Sequence, residues 1–541
     1  MIANGRLQLF VGALAILVGC SRNDGHPSDA IDAQQGDPGV IGPGDSTQTP
    51  SDAPTDQDHD GLAGDPMVGP ALHEVRGVLH MHSAYSHDGC DNNPQPDGVP
   101  NTECINDLRE AICANDFDFL YMTDHPHLMQ DFGFPEVLYY DAGRGDELVM
   151  QEGLPIANRL KCAGTGQRVL VQAGFESDHT APLGMHHHLE HATSYGALND
   201  ARPLEECQAT VTDIKNAGAV VAVVHSEEPD LSAQRLLDSG VEAMEWYNVH
   251  ASLLALTGGS DTLSGDPLQA LDKIRIIDDF LLGSDSGAHP DLVVLALFNL
   301  AMPEAGFEKW RTVNQTRLVT GLLGSDIHRN GSVEPVCSGS ALLACEAAAV
   351  LYPNALTVLI SGGQLMLSDN VRLDSYARLQ RMLENRLLVT ALTPDGLAEA
   401  IRLGRGYSVF TLFGEPQGFK FEGSHGTTLL PLGSVSQGPV RLHVQAPTAP
   451  GLVRGAPFTP TEALTAEIRM VLKRIDAQGT TDVATVTTLG GTLDQNVTAP
   501  GAYYVELWIR PYHLENALGD ARELADVDYR WLLTNPIRVT P

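Results

Sequence analysis

The pattern of apolar and polar positions changes rhythm along the chain. From about residue 73 to 330, short apolar runs, often β-branched, alternate with stretches of helical spacing. The runs Val75–Leu79, Phe117–Met122, Arg168–Ala173, Ala219–Val224, Val241–Trp246 and Leu318–Leu323 predict strands. Between them "INDLREAICAN", "LEECQATVTDIKNAG" and "HPDLVVLALFNLA" predict helices. Strand–helix alternation of this kind signals βα units around a parallel sheet. From 331 to 395 the spacing is helical, in "SALLACEAAAVLYP", "DSYARLQRMLENRLL" and "TPDGLAEAIRLGRGY". After about residue 415 short alternating runs such as "GFKFEG", "VRLHVQAP" and "GAYYVELWIR" lie between turn residues, which predicts an antiparallel β-sandwich.

The N-terminus has a different character. Arg6, an apolar stretch from Leu7 to Val18 and then Gly19-Cys20 read as a secretory signal, too short to span a bilayer comfortably. "LVGC" resembles the lipobox of bacterial lipoproteins, which makes Cys20 the lipidation site, and Ser21 resembles an outer-membrane address. Residues 21–70 are Asp, Gly, Pro, Ser and Gln with few large apolar residues, a composition that cannot offset its ordering entropy and reads as an acidic tether. Within it "DQDHDGLAGD" has carboxylate spacing like a calcium loop, but no acid at the twelfth position. The expected division is a signal peptide at 1–20, a disordered linker at 21–70, a barrel with helical additions at 71–414 and a β-sandwich at 415–541.

Composition narrows the function. The 541 residues, 43% apolar, are enough for a sizeable core. A net charge of −36 argues against nucleic acid, whose phosphates are bound through Lys and Arg. An anionic substrate needs local positive charge, which bound metal ions supply. Of eight cysteines, seven remain beyond Cys20, and Cys90 with Cys104 and Cys337 with Cys345 are the nearest pairs for disulfides in an oxidising compartment.

Chemistry follows nearly every predicted strand. After the first come His80, His82 and Asp88; after the second, Asp124 and His125; after the third, Glu176; after the fourth, His225; after the last, Asp326 and His328. In a βα barrel the carboxyl ends of the strands share one rim, so these residues would converge. His80 and His82, two apart on an extended strand, would share a face and grip one ion together. Glu242 and Glu245 are either supports for such ligands or residues of a solvated strand edge. Arg329 is either a partner for a substrate phosphate or part of a surface ion pair.

The segment "HMHSAYSHDG" resembles the first motif, H-x-H-S-x-x-S-x-D-G, of the PHP (polymerase and histidinol phosphatase) family. "MTDHPH", "GFES" and "GSDIH" resemble its T-D-H, G-x-E and G-S-D-x-H motifs, and the likeness spans about residues 75–330. It implies a distorted (β/α)7 barrel with two or three divalent metal ions, Zn, Mn or Fe, held by His80, His82, Asp88, His125, Glu176, His225, Asp326 and His328. A further ligand is expected from "GMHHHLEH", where His186, His187 and His188 are all candidates. Where many members have Ala-His-Pro, this chain has Val224-His225-Ser226. A second stretch, "GSDSGAHP" with Asp285 and His289, imitates the closing motif but reads as a loop entering a helix.

Structural zinc sites usually close four ligands, often cysteines, around one ion; this set is too large and is His/carboxylate in type. The expectation is a hydrolase, a phosphoesterase using metal-activated water on a small phosphorylated or other anionic substrate, with His80, Glu176 and Asp326 central to catalysis. The competing readings are a non-catalytic surface-binding lipoprotein and an amidohydrolase-like enzyme. The membrane is engaged through the lipid anchor alone, and oligomeric state is open.

Overall fold

The computed structural model describes residues 71–194, 198–249, 251–252, 278, 288–300, 302–333, 363–364, 366–451, 458–461 and 465–541. The signal segment with Cys20, the acidic linker, Asp285, Cys337, Cys345 and the expected helix near 340–353 lie outside the described residues.

The architecture is mixed α/β with large sheets. Its centre is β1 (His73–Met81), exposed at His73 and Glu74 and sealed on both faces from Gly77 onward. It lies parallel to β2 (Phe119–Met122) on one side and β9 (Thr320–Ile327) on the other. Beyond β2 comes β5 (Arg168–Ala173), and beyond β9 come β8 (Ala243–Asn248) and β7 (Val220–Val223), every neighbour parallel. Strands covered on both faces need continuous apolar runs, which is why these stretches were legible as strands. Leu79, Tyr121, Leu170, Ala222 and Leu322 pack in one cluster contributed by five of these strands.

The chain departs from uniform βα alternation at two places. A hairpin of β3 (Glu147–Gln151) and β4 (Leu154–Lys161) intervenes before β5 and pairs with it antiparallel. β6 (Thr180–Leu183) runs antiparallel to β7, and Met185 N donates to Ala173 O (2.8 Å) beside the end of β5. Only Gly174–His179 separate β5 from β6, too short a link for the dozen or more residues that a parallel crossover needs.

The expected helix over 374–388 is corrected. Tyr376–Gln380 is helical, capped by Ser375, whose side chain accepts from Arg378 N. Glu384–Val389 is instead a strand, antiparallel to the first half of β1. It carries a buried ion pair, Glu384 with Arg386, and Arg386 also reaches Glu415 (2.7 Å). Helix Pro394–Arg402 follows, with Thr393 accepting from Gly396 N, and Gly406–Val409 returns as the next strand.

Most of the described C-terminal strands fall in two sheets, with a separate short pair of Glu415–Gln417 and Ala449–Gly451. One contains Thr428–Leu430, Lys420–His425, Val440–Gln445 and Thr492–Val497. In the other, Gly479–Val486, Glu467–Asp476, Gly501–Arg510 and Tyr529–Thr534 pair in that order. Val440, Leu442 and Val444 from the first join Tyr503, Leu507 and Ile537 in one buried core. The second sheet does not stop there: Tyr529–Thr534 pairs with Gly406–Val409, which pairs with Glu384–Val389 and so with β1. Two buried asparagines add a second seam. Leu323 N donates to Asn385 Oδ1 (2.9 Å) and Asn385 Nδ2 to Leu323 O (2.8 Å). Gly321 N donates to Asn535 Oδ1 (2.7 Å), and Asn535 Nδ2 donates to the carbonyls of Gly321 and Gly406 (both 3.1 Å).

Each such asparagine satisfies buried backbone groups of β9 ahead of Gly324, where its pairing with β1 begins. Asn535→Ala strands the amide and carbonyl of Gly321, at about 1–3 kcal/mol for each group left without a partner. Chemical denaturation should therefore show a loss of about 3 kcal/mol, whereas the exposed Asn496→Ala should change stability by less than about 0.5 kcal/mol.

Candidate metal centre

Parallel strands deliver their carboxyl ends to one rim, and eight of the expected side chains meet there. They form two groups, His80, Glu176, His225 and Asp326, and His82, Asp88, His125 and His328; within each, the offered ligand atoms lie within 4.8 Å of one another. His80 and His82 fall in different groups by this division, yet both Nε2 atoms lie within 3.0 Å of Glu176 Oε2 and within 3.4 Å of Asp326 Oδ1. The β1–β9 register shifts between Leu79 and Met81, and His80 has a left-handed φ of 62°. His225 (φ 50°) and Asp326 (φ 51°) are left-handed as well.

The groups touch through their carboxylates. Glu176 Oε2 lies 3.0 Å from His80 Nε2 and 2.9 Å from His82 Nε2, while Glu176 Oε1 lies 2.9 Å from His225 Nε2. Asp326 Oδ1 is 3.2 Å from His80 Nε2 and 3.4 Å from His82 Nε2. Asp88 Oδ2 lies 3.1 Å from His328 Nε2 and 3.3 Å from His125 Nε2. The His82 and His328 rings stack at 3.9 Å.

The far nitrogens of the imidazoles are held by their own partners, which fixes ring orientation as it does for metal-bound histidines. His80 Nδ1 meets Glu245 Oε1 at 2.5 Å, His82 Nδ1 meets Ser86 Oγ at 3.2 Å, and His125 Nδ1 meets Glu176 O at 3.0 Å. His225 Nδ1 meets Glu227 Oε1 (3.4 Å), and His328 Nδ1 meets Asp326 O (3.1 Å). The Nε2 atoms thus face one another and the carboxylates, and the donors around both groups are imidazole and carboxylate, a set suited to first-row divalent ions. The residues present fit such ions.

Two motif glycines are explained by close approach. A Cβ on Gly89 would sit 2.1 Å from Ser83 O, and one on Gly324 would sit 1.6 Å from Glu245 Oε1. Asp124, whose burial raises its pKa against the pull of His82, is not in either group. It accepts from Ser83 N (2.6 Å) and Tyr139 Oη (2.9 Å), bracing the loop after β1.

His186, His187 and His188 lie in neither group, which corrects the expected ninth ligand. Because β6 runs reversed, the residues after it emerge at the amino end of β7, away from the rim. His186 accordingly packs against Gly218, just ahead of β7; His187 is exposed; and His188 Nε2 contacts Phe132 O (2.9 Å). His289 also lies in neither group. Arg329 turns to Asp107 (2.6 Å), so the ion-pair alternative holds for it. Glu245, left open by the sequence, is the residue that supports both His80 and, at 3.1 Å, His225 N. Its signal was the alternation in "EAMEW", which puts Ala243 and Glu245 on one face of β8 and leaves Glu242 to pair with Arg402 (3.4 Å). Asn248, which donates to Glu245 Oε2 (3.2 Å) and Asp326 Oδ2 (3.3 Å), left no sequence signal.

Charges here are strongly coupled. Burial alone would depress His80, but Glu245, Asp326 and Glu176 outweigh it and hold the ring well above its usual value. His225 is raised in the same way by Glu176 and Asp326, and His125 to about 9 by Asp88 and Glu176. Burial would raise Glu176, yet His80 and His225 hold it well below the usual carboxylate range, and His328 and His125 do the same for Asp88.

No family model and no curated protein matches the chain. Among solved structures it is similar to PsfC from Pseudomonas syringae, at 13% identity over 62% of this chain and 92% of that one, with a TM-score of 0.29. It is also similar to a two-domain protein from Bacteroides vulgatus containing a predicted PHP-like metal-dependent phosphoesterase, at 12% identity over 86% and 95% of the two chains, with a TM-score of 0.27. At those scores neither likeness bears on function, and the site rests on its own geometry.

The raised histidines set a pH dependence for the metal-stripped protein. A histidine with a raised folded pKa stabilises fully below its unfolded value near 6.5, and that contribution is lost as pH rises through the folded value. The depressed Glu176 and Asp88 contribute above their unfolded values and are lost only in acid. Melting temperature should therefore fall between pH 6.5 and 9; His125→Ala should flatten the fall, and added zinc should reverse it, since ligating imidazoles are unprotonated. Scanning calorimetry across that window decides the point.

Proposed function

We propose that the chain is a metal-dependent hydrolase of PHP type, a phosphoesterase built on a distorted (β/α)7 barrel that carries two divalent ions, zinc, manganese or iron. The observation that carries this reading is the junction at Glu176, whose two oxygens lie within 3.0 Å of imidazoles from both groups. Adjacent divalent ions supply a water of lowered pKa and polarise an ester oxygen. The protein's own part is positional. Glu176 and Asp326 set the spacing between the two groups, Glu245 keeps His80 Nε2 directed inward, and Ser86 does the same for His82 while donating to Asp88 Oδ1 (2.7 Å). His87, its ring 4.9 Å from His125, stands at the exposed side of the second group, where an anionic substrate would approach. The substrate on this reading is a small phosphorylated or otherwise anionic molecule, and the protein is exported and held to a bacterial membrane, the outer one by its Ser21 address, through lipid on Cys20.

Zinc- or manganese-loaded protein should hydrolyse a phosphomonoester or phosphodiester and lose that activity to a chelator. His80→Ala and His328→Ala should each lower kcat by about a thousandfold or more, with the far-ultraviolet spectrum intact. Turnover of amides with no phosphoester cleavage would shift the assignment to an amidohydrolase, and a loaded protein inert to every class would leave a binding role. Mass analysis of protein from its native host should find lipid on Cys20; a water-soluble mature form starting elsewhere would defeat the anchor.

A further inference from the structure

Between Asp88 and the helix Thr102–Ala114 the chain makes a turn that few sequences would hold unaided. Cys90, Asp91 and Asn92 are successive non-glycine residues at φ of 56°, 61° and 55°, all in the left-handed region. Such a run is uncommon for residues with a Cβ and persists where its surroundings over-determine it. Here the surroundings are three. Cys90 is disulfide-bonded to Cys104 in the first turn of that helix, both sulfurs buried. Cys90 N donates to His328 O (3.0 Å) and Asp91 N to Arg329 O (2.8 Å). The Asp91 carboxylate takes a two-point contact from Arg372, at 2.7 and 2.9 Å, and Arg372 is itself fixed by Asp374 (2.6 Å), which accepts from Gly331 N (2.6 Å).

The turn joins two ligands of one metal group, Asp88 and His328, that are far apart in sequence. Asp88 precedes it by two residues, and Asn330 Nδ2 donates to Asp88 O (2.8 Å), while the turn's own amides bind the carbonyls of His328 and Arg329. Cys104 Sγ also lies 3.5 Å from Tyr376 Oη, which donates to His82 O (2.8 Å), so a third ligand of that group adjoins the same bridge. The other group, His80, Glu176, His225 and Asp326, is held instead by Glu245 and Asn248 and by the ends of β5, β7 and β9. The second disulfide, Cys113–Cys162, joins the far end of the same helix to the residue after β4, and neither cysteine belongs to a metal group.

We propose that the Cys90–Cys104 bridge, together with the Asp91–Arg372 pair, is a positioning clamp for Asp88 and His328, so that the His82/Asp88/His125/His328 group binds metal only when the bridge is closed. The inference rests on the reading of these residues as metal ligands. It makes the two metal positions unequal: one is built into the sheet, and the other depends on an oxidised pair of cysteines.

The test uses zinc alone as the probe and the full chain as the protein. After dialysis against zinc, elemental mass spectrometry should count two ions per chain in the wild type and in a Cys113→Ser, Cys162→Ser variant, but one in a Cys90→Ser, Cys104→Ser variant. Hydrogen exchange at the amides of residues 90 and 91 should accelerate in the latter variant only. Asp91→Asn, which keeps the disulfide, should weaken the second zinc by about tenfold, the usual cost of losing an outer partner of a ligand. Two zincs retained without the Cys90–Cys104 bridge, or unchanged exchange at residues 90 and 91, overturns the clamp. A wild type that takes up no zinc defeats the metal-centre reading instead, while the exchange rates still decide whether the clamp exists.

Discussion

Two carboxylates sealed among imidazoles constrain everything else in this molecule. Glu176 and Asp326 are 4% and 5% exposed, and the His80 and His82 rings between them are fully buried. Removing such groups from water costs several kcal/mol per ion, which only close opposite charge and full hydrogen bonding offset. The observed answer is a lattice of alternating imidazole and carboxylate, with each ring's outer nitrogen directed to a partner, and divalent cations fit the same lattice in place of protons. Left-handed backbone at His80, His225 and Asp326, each costing roughly 1–3 kcal/mol, is tolerated because β1, β7 and β9 are fixed on both sides.

That arrangement explains which parts of the centre were readable in the sequence. Ligands that follow β1, β2, β5, β7 and β9 were legible because parallel strands put their carboxyl ends together whatever lies between them. The expectation at His186–His188 came from the family resemblance instead, and the structure carries those residues away from the rim because β6 is reversed by a link of six residues, Gly174–His179. His80 and His82 converge on the same oxygens of Glu176 and Asp326 although the ladder of β1 with β9 is bulged between Leu79 and Met81, a feature that period-two alternation does not anticipate.

The fold was legible to a similar degree. Runs buried on both faces were found within a few residues, as Val75–Leu79 was for His73–Met81. Glu384–Val389 was mistaken for helix because its charged residues, Glu384 and Arg386, are neutralised by each other inside the protein, a pairing that no spacing rule reveals. The β3–β4 hairpin was passed over although its turn was written plainly: Glu152 and Gly153, at φ of 51° and 84°, form the two-residue connection that matches strand twist. Disulfides followed space instead of sequence distance in one case, since Cys113 pairs with Cys162, 49 residues on.

The asparagine seam along β9 has an evolutionary corollary. Gly321 and Leu323, five and three residues before Asp326, obtain backbone partners from Asn535, between the last two strands, and from Asn385, in the strand Glu384–Val389. Recombination that exchanged the C-terminal strands for an unrelated module would leave the amide and carbonyl of Gly321 bare in the interior, five residues from a candidate metal ligand. The two halves are therefore expected to travel through lineages as one inherited block, with their shared amide contacts resisting the shuffling that separable modules permit.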